Sequence, residues 1–152
     1  MCDLIKYEAK KIPYLLLDQN KGFIELKGSS FMEDTIAFYD PIMDWVYEYV
    51  RHPKDTLVNI DLEFFNTSSA KILLIMIRTL SKVQKSGHKL AVNWFYEEDD
   101  EDIRESGNSF SMMSNVKFNF IRKQQGSFSK LIKSGKRFMS GRNKLASLKL
   151  LL

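Results

Sequence analysis

Asn66-Thr67-Ser68-Ser69 sets an amide and three hydroxyls between an apolar run, Leu57 to Phe65, and a second apolar stretch that begins near Ala70. The first run has the Leu, Val, Ile and Phe content of a buried strand. The second has helical spacing, so the motif falls on a strand-to-helix junction. A helix N-terminus leaves backbone N–H groups unpaired and carries partial positive charge. A phosphate on Thr67 or Ser68 would therefore be held electrostatically while adding roughly two negative charges. The same residue types also serve as plain helix caps, with Ser68 and Ser69 as caps or secondary acceptors and Asn66 supporting the turn. Local chemistry leaves capping and modification both open.

No other constellation supplies a competing chemistry. The acidic run Glu97 to Asp102 lacks the alternating oxygen ligands and turn glycine of a calcium loop, and it reads as a solvated helix start. His52 and His88 have no Cys or His partners at zinc spacing. Ser-His-Asp sets, Walker loops and dinucleotide fingerprints are missing, so neither catalysis nor a cofactor or metal is expected.

These residues need a scaffold, and 152 residues with a hydrophobic fraction of 44% suffice for one core. The single cysteine, Cys2, offers no disulfide framework. Residues 1–11 show no signal-peptide core and no window is apolar enough to span a membrane, so a cytoplasmic home is expected. Residues 1–120 carry fourteen Lys/Arg and nineteen Asp/Glu, whereas residues 121–152 carry nine Lys/Arg and no acid. The basic character therefore belongs to the tail and argues against a nucleic-acid-binding body.

Segments Ile12 to Asp18 and Phe23 to Gly28 flank a polar turn and predict an antiparallel hairpin. A helix follows through Ile36, Tyr39, Met43, Val46, Tyr47 and Val50, with a kink or short first turn at Pro41. Thr56 to Phe65 predicts a central strand, Ser68 to Lys85 a helix stopped by Gly87, and Lys89 to Tyr96 another strand. A helix over Asp100 to Met113, interrupted at Gly107-Asn108, and an edge strand over Val116 to Ile121 complete the order. The expected architecture is α/β: a single mixed sheet of four to five strands, with helices mainly on one face. It forms a domain over 1–121, followed by a basic amphipathic tail over 122–152.

With that order in place, Asn59-Ile60-Asp61-Leu62-Glu63-Phe64-Phe65-Asn66-Thr67-Ser68-Ser69-Ala70-Lys71 resembles the SiaC family of bacterial regulatory phosphoproteins. So do Gly22 through Ser30, Asp44-Trp45-Val46, and Ala91-Val92-Asn93-Trp94-Phe95-Tyr96. Together these blocks span about residues 12–120. The family is similar in fold to STAS-like anti-sigma factor antagonist domains. The resemblance implies phosphorylation of Thr67 by a protein kinase and its removal by a metal-dependent serine/threonine phosphatase. It also implies that the unphosphorylated form stimulates a diguanylate cyclase, in cyclic di-GMP signalling.

The helix after Thr67 carries two apolar stripes. Ala70, Leu73, Leu74, Ile77 and Leu80 should face the core. Ile72, Ile75, Met76, Thr79 and Val83 are either covered by a neighbouring helix or, with Asn66, form the partner-binding patch. Two other functions fit the same chain: an anti-sigma antagonist-like partner switch controlling transcription, or a small enzyme using the acidic run with metal. In the tail, Phe128, Leu131, Ile132, Phe138 and Met139 alternate with Lys130, Lys133, Lys136 and Arg137. That pattern fits disorder, docking on the acidic run, or contact with an anionic membrane.

Overall fold

The computed structural model describes residues 3–6 and 9–124. Its elements run β1 (Leu4–Lys6), β2 (Tyr14–Asp18), β3 (Phe23–Ser30), α1 (Thr35–Tyr49), β4 (Thr56–Phe65), α2 (Thr67–Leu80), a single turn α3 (Lys82–Lys85), β5 (Leu90–Glu97), α4 (Glu101–Ser114) and β6 (Phe118–Lys123). All six strands form one sheet in sequential order. β1, β2 and β3 are antiparallel, and β3, β4, β5 and β6 are parallel. The mixed sheet and its opening hairpin agree with expectation, but the described residues form six strands rather than four to five. The additional one, β1, is a three-residue edge strand in a charged segment too short to show alternation.

Each step from β3 to β6 adds a strand on the same side, and parallel crossovers are right-handed. Consequently α1, α2 and α4 are stacked on one face, with α2 packed between the other two. Burial follows this arrangement. Along β4, Thr56, Val58, Ile60 and Leu62 point into the core while Leu57, Asn59, Asp61 and Glu63 do not. On the open face, Asn119 donates to Asn93 at 3.1 Å and Asn93 to Asn59 at 3.0 Å. This amide ladder saturates side chains on an uncovered sheet. Phe64 and Phe95 are only partly buried because they lie outside the covered face.

Pro41 does not split α1. Asp34 caps the helix by accepting from Ala37 N–H at 3.0 Å, and the segment is continuous to Tyr49. Pro41 and Ala37 are both exposed, so the Ala37 carbonyl that loses its partner faces water. Ile36 and Tyr47, which helical spacing assigned to the apolar stripe, are 65% and 48% exposed.

Gly107 does not interrupt α4 either. A Cβ there would lie 2.6 Å from the Trp94 ring, so glycine is required for close packing of helix on sheet. Trp94 is 1% exposed and donates from Nε1 to the Ile103 carbonyl at 2.9 Å, which leaves its indole little freedom to retreat. Gly107→Ala is expected to destabilise the fold by about 1–3 kcal/mol despite alanine's better helix propensity. Urea unfolding measures this, and an unchanged midpoint would contradict the packing argument.

Candidate functional site

The carboxyl ends of β3, β4 and β5 lie at one end of the sheet, and each feeds a helix whose N-terminus opens there. Asp34 caps α1. Asp100 caps α4 by accepting from Ile103 N–H at 3.1 Å, with Glu101 and Asp102 in the first turn. At α2 the cap is neutral: the Asn66 side chain accepts from Ser69 N–H at 2.9 Å, and its first turn contains no acid. Carboxylates that offset the N-terminal partial charge of α4 thus have no counterpart in the first turn of α2.

Thr67 and Ser68 occupy the first two helical positions and are exposed. Ser69 is different. Its hydroxyl is fully buried and accepts from Ser30 Oγ at 2.8 Å, while Ser30 Oγ lies 2.7 Å from the Tyr39 hydroxyl. Because Ser30 gives its proton to Ser69, Tyr39 donates to Ser30. This corrects the grouping of Ser68 with Ser69: the cap is Asn66, and Ser69 is a core hydroxyl closed to modifying enzymes. The chain of hydroxyls ties the end of β3, the first half of α1 and the first turn of α2 together. Asn66 adds two bonds to the same region, its N–H donating to the Ser30 carbonyl at 2.9 Å and its Nδ2 to the Met32 carbonyl at 3.4 Å.

The second stripe of α2 also requires correction. Met76, Thr79 and Val83 are 1%, 7% and 0% exposed, so they cannot form a patch for another protein. A helix held between two others needs apolar residues beneath and on both flanks, which is why α2 looked apolar on too many sides. Ile72 packs partly against the core. The outward line is Ser68, Lys71, Ile75 and Arg78, with Ile75 38% exposed. Arg78 is committed to α4, donating from Nε and Nη2 to the Met113 carbonyl at 3.1 and 3.0 Å.

The acidic run disperses into separate tasks. Glu97 pairs with Lys123 at 3.4 Å, Glu98 with Arg122 at 3.3 Å, Asp100 caps α4 and Glu101 pairs with Arg104 at 3.4 Å. Among the described residues no group of three or more His, Cys, Asp or Glu side chains is placed to hold a metal ion. Likewise, no helix among them is long and apolar enough to cross a membrane.

Comparisons with known proteins place the chain in a family and its fold among solved structures. The model of the SiaC family regulatory phosphoproteins matches residues 6–123. The chain belongs to the SiaC family. An uncharacterized protein of Pseudomonas aeruginosa strain UCBPP-PA14 is 23% identical over 111 residues, covering 72% of this chain and 88% of that protein. Apo-SiaC from Pseudomonas aeruginosa superposes with a TM-score of 0.70 at 22% identity, over 82% of this chain and all of that one. The SiaC chain in a crystal structure of the diguanylate cyclase SiaD with its activator SiaC gives a TM-score of 0.74 at 20% identity, over 80% of this chain and all of that one. At these identities the solved structures establish a shared fold, while membership rests on the family model.

Burial pushes the Tyr39 phenol up to about 12, against the lowering effect of its bonds to Ser30 and Ser69. The folded protein therefore keeps Tyr39 neutral after the unfolded chain has begun to ionise. Its contribution is intact below pH ~10 and fades as pH climbs through the folded value. Tyr39→Phe should cost about 1–2 kcal/mol at neutral pH, from the lost bond to a buried hydroxyl, and should lessen the decline of stability above pH ~10. Denaturant unfolding across that range tests both; equal slopes in the two proteins would rule out the buried phenol as their source.

Proposed function

We propose that this SiaC-family protein is a non-enzymatic, cytoplasmic adaptor whose Thr67 is the phosphorylation switch for binding a diguanylate cyclase. The observation carrying this reading is the exposure of Thr67 at the start of α2, beside a neutral cap and directly above buried Ser69. A kinase can reach that hydroxyl without opening the core. A metal-dependent serine/threonine phosphatase would restore it. The cyclase is inferred from the SiaD complex, in which the relative acts as activator.

The partner surface in this reading is the sheet end around Asn66, Thr67 and Ser68, extended along α2 through Ile72 and Ile75. Ile36, at the start of α1 and at the same end of the sheet, adds exposed apolar area that no core contact explains. An apolar partner docking there excludes water from Thr67. A phosphate brings about −1.5 to −2 charge at neutral pH. Burying it without a paired cation costs more than the interface gains, so phosphorylation switches binding off. Lys71, one turn onward and exposed, is too solvated to offset that cost in the complex.

Thr67→Ala is expected to bind and stimulate the cyclase like the unmodified protein, while stoichiometric phosphorylation at Thr67 weakens binding at least tenfold, ~1.4 kcal/mol. Calorimetry with purified cyclase provides the comparison, and equal affinities would exclude the switch. Ile75→Asp should weaken binding by about 1–3 kcal/mol while leaving the unfolding midpoint nearly unchanged, because the side chain lies outside the core. Undiminished affinity would move the interface off α2.

A further inference from the structure

The family match ends at residue 123, and the solved SiaC chains are covered completely by about four fifths of this one. Of the basic tail expected over 122–152, residues 125–152 lie outside the described residues, but where that segment departs is defined. Its last described strand, β6, finishes at Lys123, whose side chain turns onto the open face of the sheet. There it meets Asp61 at 2.6 Å and Glu97 at 3.4 Å. Burial works to lower the Lys123 pKa, yet the two carboxylates outweigh it and hold the ammonium above the ordinary lysine value.

We propose that segment 125–152 docks across the open face of its own sheet, as a second covering layer opposite the helices. Charge complementarity is the first support. Strand alternation places Asp18, Glu25, Asp61, Glu63 and Glu97 on that face against Lys27 and Lys123, an acidic excess. The segment itself holds seven Lys/Arg and no Asp or Glu.

Apolar content gives the second. Leu57, 38% exposed, and Ile5, 49% exposed, stand out on a face that also carries Leu16, Phe95 and Ile121. Phe128, Leu131, Ile132, Phe138 and Met139 could cover them. Reach is the third. Six strands are about 24 Å across, and the segment would exceed that even at the ~1.5 Å per residue of a helix. The segment begins two residues after Lys123, at the edge strand β6, whose Lys123 side chain points to the open face, so that face lies within direct reach. It also leaves the helix layer and the Thr67 junction uncovered.

A nitroxide on Ser134→Cys in a Cys2→Ser background of the full chain tests this by paramagnetic broadening of amide signals, with Ser147→Cys as a second label site. Expected is loss of amide intensity in β3, β4 and β5, greater than in the outward turns of the helices, without any added ligand. Three results would overturn the proposal. They are broadening confined to residues next to Lys123, broadening seen only when labelled and isotope-enriched molecules are separate copies, or broadening that changes only on adding phosphatidylglycerol vesicles. The last would assign the segment to an anionic membrane surface.

Discussion

Three buried hydroxyls, on Ser30, Tyr39 and Ser69, hold the Thr67 end of this molecule in place. They join three elements that the chain could otherwise leave loosely packed: the end of β3, the first half of α1 and the first turn of α2. In a dry core each hydroxyl is costly unless bonded, so the set forms together or not at all. Because Ser69 is fixed inward, helical geometry swings Thr67 and Ser68 outward, and the Asn66 cap fixes where the helix begins. Exposure of the threonine is thus a consequence of burying the serine two residues later.

The rest of the fold supports that junction by its order. A sheet whose parallel strands are added in one direction must gather its helices on one face, and this brings three helix N-termini to one end. Two of those ends are capped by aspartate, and α2 is capped by asparagine. A phosphate at α2 would meet the partial positive charge of the helix N-terminus without a carboxylate in the first turn. In that arrangement a phosphate on Thr67 would change the surface of the molecule and leave its core undisturbed.

Much of this was legible in the sequence wherever local pattern and tertiary environment agreed. β4 is apolar enough to be recognised end to end, the hairpin and β5 fall within a few residues of expectation, and the helix expected over Ser68–Lys85 is divided into α2 and α3. β1 could not be seen, because three residues of mixed character acquire strand geometry only by pairing with Leu15, Leu16 and Leu17. Gly107 looked like a helix interruption because a sequence does not show the indole pressed against it. The junction was located correctly, yet the roles of Ser68 and Ser69 could not be separated without knowing which way the first turn faces. The second stripe of α2 misled for a related reason: apolar flanks reflect neighbouring helices of the same chain as readily as they reflect a partner.

The amide spectrum of the Thr67-phosphorylated chain distinguishes a charge added at the surface, with the fold intact, from a disturbed core. Shifts should be confined to the first turn of α2 and the adjoining ends of β3 and α1, with Trp94 and Gly107 unmoved. Shifts spreading through the helix layer, or loss of dispersion in α1 and α2, would mean that the phosphate acts by breaking the hydroxyl cluster and would contradict a surface switch.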